Sequence, residues 1–262
     1  MKVISSFLSG IIYAVNLIVR KKLYTYFIPS IFLSLLFYMF FSGGRSIGDS
    51  ISFMEEWKYI GWLVTSAKTA FLFISFFLFE FVVLVLLSPV NSLLAEKVHE
   101  DITGEEIPFS FEVLLRSIGR MLLILLVALS MQLLLTIVLW LFSFLFGDTF
   151  FEITSMLNVA FFVGFSFFDF ALELDEVKSR RSWKFARQNW ITCVFIGLLF
   201  NIGIYYPQKH DLLWVYLIGI SILPHLLTIA ASKIYHEKGR LGRPSKLKGE
   251  EIKKPNMQVS GS

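Results

Sequence analysis

The sequence predicts an all-α, polytopic integral membrane protein with both termini in the cytoplasm. Three observations predict it. Only 17% of the 262 residues are charged and 56% are hydrophobic, where a soluble domain carries about 25% charged residues. The apolar residues fall into long blocks, and about 20 of them in a helix cross a bilayer core. The basic residues are one-sided: of 24 Lys and Arg, only Arg45, Lys58, Lys68 and Lys209 fall on connectors that alternate crossing places outside.

The first segment, Val3 to Val19, mixes Phe7, Leu8, Ile11, Ile12 and Val15 with Ser5, Ser6, Ser9 and Asn16. It reads as an amphipathic helix in the interface, and a short membrane-dipping helix fits the same residues. With one Lys2 before it and no small-residue cleavage site, it is not read as a signal peptide. The basic triplet Arg20-Lys21-Lys22 follows, then an apolar run, Leu23 to Phe41, with Pro29 near its start and Gly43-Gly44 at its close.

Residues 43–66 read as a mixed connector with Trp57, Tyr59 and Trp62 as interface anchors. The second span is Thr69 to Leu87, its helix continuing past Pro89 towards Thr103-Gly104. A polar loop at 99–110 leads to a third long helix with Arg116 and Arg120 in its first turns and an apolar body from Met121 to Phe146. Gly147-Asp148-Thr149 turns the chain, and Ile153 to Leu174 returns it.

Residues 175–190 read as a basic amphipathic surface helix, in which Lys178, Arg180, Arg181, Lys184 and Arg187 alternate with Trp183, Phe185 and Trp190. Two apolar segments close the membrane part, Ile191 to Tyr206 and Leu212 to Ile234. The 16 residues of the first reach only about 24 Å, short of a hydrocarbon core of about 30 Å. Charge bias does not separate two crossings from a hairpin that turns back, so full crossing stays open for the pairs at 121–174 and 191–234. Residues 1–238 thus form the membrane domain, and 239–262 a basic, disordered cytoplasmic tail.

The run Pro89-Val90-Asn91-Ser92-Leu93-Leu94-Ala95-Glu96, followed by Thr103-Gly104, resembles the signature of the CysZ-type sulfate permeases, a family related to the eukaryotic etoposide-induced membrane proteins. Asp169-Phe170 before a basic amphipathic segment is a second point of similarity, and the likeness runs over roughly residues 5–238. The resemblance implies two long transmembrane helices plus two hairpins of partly penetrating helices, assembled as a dimer or higher homo-oligomer. It also implies sulfate uptake for cysteine synthesis across a bacterial inner membrane. At the positions matching the family's sulfate-binding arginine pair stand Leu23 and Tyr24, with Lys21 and Lys22 two residues earlier. Asp169-Phe170-Ala171-Leu172-Glu173 lacks the proline of the family's corresponding pattern.

A sulfate dianion needs cationic donors or helix N-terminal amides aimed at one place. Arg20, Lys21 and Lys22, just before a helix, fit as substrate-binding residues; they fit equally as anchors on lipid phosphate. Glu80 sits mid-span and Asn91 lies 11 residues later on nearly the same helix face, a polar stripe that suits a pathway, proton coupling or an interhelical hydrogen bond. Glu96 is expected near the cytoplasmic end, paired with Arg116 or Arg120. Asn158, Asp169 and Glu173 share one face, expected to meet the basic helix in a surface ion-pair network. Asn91, Glu96 and Asp169 join Glu80 as pathway or coupling candidates. Gln132, Asn201 and His225 read as intramembrane groups satisfied by hydrogen bonds.

One cysteine, Cys193, excludes an internal disulfide, and His99, His210, His225 and His236 lack metal-ligand spacing. The sequence contains no Walker loop, no Gly-x-Ser-x-Gly and no His-Glu-x-x-His. We therefore expect no enzyme activity, cofactor, metal or nucleic-acid partner, and transport that is passive or ion-coupled. The alternative function is a membrane scaffold that binds lipid or partner proteins through its basic helix and tail.

Overall fold

The computed structural model describes residues 2–36, 39, 84–105, 111–175, 177, 179–209 and 213–239. Glu80, the connector at 43–66, most of the span at 69–87 and the tail beyond Gly239 lie outside the described residues. Every regular element among the described residues is helical. Helix α1 spans Lys2–Arg20, a 3-10 turn spans Leu23–Phe27, α2 runs over 28–36 and α3 over 84–103. Then come α4 (Phe111–Phe146), α5 (Asp148–Leu174), α6 (Ser179–Gln188), α7 (Trp190–Lys209) and α8 (Leu213–Gly239).

Among the described residues, four helices are long and apolar enough to cross a membrane: Val3–Arg20, Gly119–Phe146, Asp148–Leu174 and Leu217–Lys238. The stretches in α4 and α5, 28 and 27 residues long, extend about 40 Å and exceed the hydrocarbon core. The pair at 121–174 is thus long enough for two full crossings. The apolar part of α7, Trp190–Ile204, remains shorter than a span, in line with the sequence. The chain is a multi-pass membrane protein.

The centre of the bundle is the crossing of α5 on α7. A Cβ on Gly164 would stand 1.8 Å from the carbonyl oxygen of Cys193, and one on Gly197 1.8 Å from that of Ala160. Ala160 and Gly164, like Cys193 and Gly197, are four residues apart, so each helix offers a flat strip of small side chains to the other. Phe165, Phe167, Phe168 and Phe170 fill the space around this crossing and are fully buried. The phenylalanine run at 161–170 is therefore packing material. The outward faces of α4 are the opposite, with Leu123, Leu126, Leu134 and Phe144 exposed.

Helix α1 runs parallel to the C-terminal half of α8. Gly10 lies close against Ala230, and the Lys233 ammonium stands 5.1 Å over the Tyr13 ring. Phe7, Ala14 and Leu17 are buried on this side, while Ile4, Leu8, Ile12, Val15 and Val19 face outward. The chain then reverses at Lys22, which adopts a left-handed conformation (φ 54°), and α2 returns antiparallel along α8. Leu23, Leu94, Val98 and Ile229 close a second, smaller core beneath this reversal.

The signature on α3 has a structural meaning. Leu94 and Ala95 are buried contact residues. The Thr103 hydroxyl donates to the His99 carbonyl (2.8 Å) and accepts from the Glu105 amide (3.2 Å), while Gly104 takes φ +75° and donates its amide to the Glu100 carbonyl. Thr-Gly is thus a helix stop, the glycine occupying the left-handed position that an L side chain disfavours.

Candidate functional site: a buried polar seam and a charged end

Three helices meet through polar side chains inside an apolar bundle. Ser30 of α2, Asn91 of α3 and His225 of α8 are each fully buried. His225 Nδ1 lies 2.9 Å from Asn91 Oδ1, and its Nε2 is hydrogen-bonded to the Ser30 hydroxyl. An amide oxygen only accepts, so Nδ1 carries a proton and donates it to Asn91. The Phe27 ring packs edge-on against His225, with centroids 5.0 Å apart.

One turn along, Ser34 of α2 and Ser221 of α8 share a hydrogen bond of 3.1 Å. One turn before Asn91, the Ser88 hydroxyl is buried, and it and Asn91 Nδ2 find no hydrogen-bond partner among the described residues. Pro224 precedes His225 inside α8; having no N–H, it leaves the Ile220 carbonyl without its ladder partner. The sequence singled out Asn91 and His225 but not each other, and it missed Ser30, Ser34 and Ser221. A signal was present, because Ser30/Ser34 and Ser221/His225 each repeat at four residues and so stay on one face.

Most of the charged side chains with described partners gather at one pole. Arg20 reaches the Asp101 carboxylate at 2.5 Å, Tyr13 donates to the same carboxylate at 2.8 Å, and Lys21 stands 3.4 Å from Glu100, which Lys97 also holds at 2.6 Å. Lys97 holds the Glu100 carboxyl below its ordinary range through their hydrogen bond, with Lys21 assisting against partial burial. Burial pushes Asp101 up, but hydrogen bonds from Tyr13 and Arg20 and the nearby cationic charge outweigh it, leaving it lowered. Two of the three candidate anion-binding cations thus have carboxylate partners on α3. Lys22, exposed at the reversal, makes no ion pair among the described residues.

Glu96 is half-buried, and desolvation raises its carboxyl against the opposing charge of Lys97. Among the described residues it makes no ion pair; Arg120 instead stands 3.5 Å from Asp169. Of the two arginines expected beside Glu96, Arg120 is thus engaged elsewhere and the Arg116 side chain lies outside the described residues, while the surface network expected around Asp169 is corrected. Asp169 is fully buried, so it belongs to an interior ion pair with α4, because its position on α5 faces inward one turn before the helix ends. Arg120 also donates to the Ser182 hydroxyl of α6 (3.4 Å), tying three elements together. Asn158 likewise meets α4: its amide donates to the Gln132 carbonyl (3.2 Å) and the Thr136 hydroxyl (3.1 Å). The Gln132 side chain, expected to be satisfied, is buried with neither polar atom partnered among the described residues.

The last turn of α8 completes this pole. Tyr235 donates to Asp175 (2.6 Å), and the Lys238 ammonium donates to Asn189 (3.1 Å) and Thr192 (2.9 Å). The C-terminal ends of α1, α3, α5 and α8 and the N-terminal ends of α4 and α7 therefore share one end of the bundle. It is the end that the basic connectors assign to the cytoplasm.

A family model described as Sulfate transporter CysZ/Etoposide-induced protein 2.4 matches residues 11–208. The chain belongs to this family. The match includes the signature on α3, the buried Asp169 and the Ser30–Asn91 side of the seam. His225 and Ser221, on α8, lie beyond the matched residues. No curated protein matches the chain. At the two positions that the resemblance matches to an arginine pair, Leu23 is buried and Tyr24 is exposed.

Proposed function

We propose that the protein is a permease or channel for sulfate, or a related small oxyanion, in a bacterial inner membrane, supplying cysteine synthesis and working as a homo-oligomer. The observation that carries this reading is membership of the CysZ family over residues 11–208. The polar seam supplies a chemistry that suits it. An oxyanion passing through an apolar bundle needs hydrogen-bond donors that replace its water. A fixed buried cation would hold the anion too firmly, since conduction needs sites that bind and also release. Hydroxyls of Ser30, Ser34, Ser88 and Ser221 and the amide of Asn91 are neutral donors of this kind. The charged pole serves entry: exposed Lys22 attracts the anion, while Glu100 and Asp101 temper Lys21 and Arg20.

The connectivity Ser30–His225–Asn91 is also that of a nucleophilic relay. Ser30 is sealed from solvent, and we assign the three residues to hydrogen bonding between helices along the pathway, not to catalysis.

The test is radiolabelled sulfate uptake into proteoliposomes, with protein-free vesicles as control and sulfite and phosphate as competitors. Saturable, sulfate-selective uptake is expected. Uptake no faster than the control, from protein shown to be folded and oligomeric, would refute the reading. Lys21→Gln with Lys22→Gln is expected to weaken sulfate binding at low salt; unchanged binding removes the triplet from the site.

A further inference from the structure

We infer that the outer face of α6 is a binding surface for anionic phospholipid headgroups of the cytoplasmic leaflet. Helix α6 (Ser179–Gln188) joins two membrane elements at one level: the apolar stretch of α5 ends at Leu174, and that of α7 begins at Trp190. Its Ser182 accepts from Arg120, one residue into the apolar stretch of α4 that starts at Gly119. Three apolar stretches thus end where α6 lies, which places it in the headgroup layer.

Its two faces are divided cleanly. Ser182 and Ala186 are buried, Trp183 stacks on Phe165 with centroids 4.5 Å apart, and Phe185 packs on Phe168 at 5.4 Å. That face fixes the helix to the core. Arg180, Lys184 and Arg187 follow at helical spacing on the opposite face, with Arg181 beside them, and all four are exposed. Among the described residues none of the four makes an ion pair or hydrogen bond, unlike Arg20, Lys21 and Arg120 at the same pole. Trp190, 56% exposed, stands at the next helix start, where an indole anchors at the membrane–water boundary.

Charge complementarity and depth together select the partner. A row of unpaired cations held rigidly at headgroup height meets lipid phosphates before any soluble anion, and four cations exceed what one small oxyanion neutralises. Guanidinium groups bind phosphate oxygens bidentately, and each cation near such a surface strengthens the attraction roughly fivefold. This inference rests on the membrane fold alone and does not depend on the transported substrate.

The experiment reconstitutes the full-length protein into vesicles of equimolar phosphatidylglycerol and phosphatidylcholine, extracts it in mild detergent, and measures the retained lipids by mass spectrometry. Phosphatidylglycerol is expected to be retained in excess over its share, and the excess to be lost in the variant carrying Arg180→Gln, Arg181→Gln, Lys184→Gln and Arg187→Gln. The matched change of Lys246, Lys248, Lys253 and Lys254 to Gln in the tail is expected to leave it. Should the α6 variant fail to reach the membrane, Arg180→Gln and Lys184→Gln singly are each expected to lower the excess, and no loss in either overturns the inference. An unchanged excess in the quadruple variant, or an equal loss in the tail variant, also overturns it. So does full displacement of the lipid by soluble glycerol 3-phosphate, which would make α6 a site for free anions.

Discussion

Where α5 crosses α7, two backbones touch with only glycine between them; where α2, α3 and α8 meet, side chains of serine, asparagine and histidine stand between. The first junction is defined by shape. Its contacts have a single geometry, because the carbonyls of Ala160 and Cys193 leave no room for a Cβ on Gly197 or Gly164. The second is defined by hydrogen bonds whose donors rotate and exchange partners, and part of its capacity, at Asn91 and Ser88, is unused among the described residues. A membrane bundle needs both, since lipid gives apolar surfaces little reason to associate and packing must hold the helices together. We read the first junction as the fixed frame and the second as the place where helices separate for an anion.

That division is open to attack in order of expected effect. Gly164→Val forces the backbones of α5 and α7 apart and is expected to cost about 3 kcal/mol, read as thermal unfolding of the detergent-solubilised protein. An unchanged melting temperature would remove the crossing from the frame. Arg120→Gln, which leaves Asp169 buried and unpaired, is expected to cost about 2 kcal/mol, discounted because Arg120 is partly exposed. Converting Arg120 and Asp169 together to leucine is expected to restore part of that loss.

His225→Leu and Asn91→Leu sharpen the contrast. Each is expected to change stability by about 0.6 kcal/mol, yet to slow sulfate uptake about tenfold, equivalent to about 1.4 kcal/mol on the barrier. Equal, small effects on both readouts would make the seam mere interhelical adhesion.

The smallest effect belongs to the charged pole, where Arg20→Gln is expected to cost about 0.5 kcal/mol in an exposed pair. The carboxyls of Glu100 and Asp101 are lowered in the folded protein, so their contribution is present at neutral pH and lost as the pH falls through the folded-state values, below the ordinary carboxylate range. Unfolding in wild type is therefore expected to become easier at acid pH, and less so in a Glu100→Gln, Asp101→Asn variant. Equal acid sensitivity in both would assign it elsewhere.

The fold was legible in the sequence where it depended on one segment at a time. The apolar lengths, the turn at Gly147, the basic α6 and the stop at Thr103-Gly104 are local properties, and among the described residues these elements stand within a few residues of their expected places. Pairing between segments was less legible. Arg116 or Arg120 was expected beside Glu96 because all lie near the same pole; helix rotation instead brings Arg120 to Asp169, which it turns inward. Asn158 met α4 for the same reason. The seam depends on which faces of α2, α3 and α8 oppose one another, and the serine spacing suggests a face without naming its partner. The α5–α7 crossing was hidden because a glycine in an apolar run carries no hydropathy signal.

Pro224 gives α8 an uneven stiffness. Below it, towards the charged pole, Tyr235 and Lys238 fasten the helix to Asp175, Asn189 and Thr192. Above it, the stretch from Leu213 to Ile220 is joined to α2 near Ser221, and the backbone between the two parts lacks one rung. Mechanically this is a beam clamped at one end, with a soft joint partway along and a second support beyond it where Gly219 lies against Gly203 of α7. A bend at the joint would therefore have to carry α7 with it, because a Cβ on Gly219 would stand only 2.5 Å from the Gly203 carbonyl oxygen and the two backbones lie in contact there.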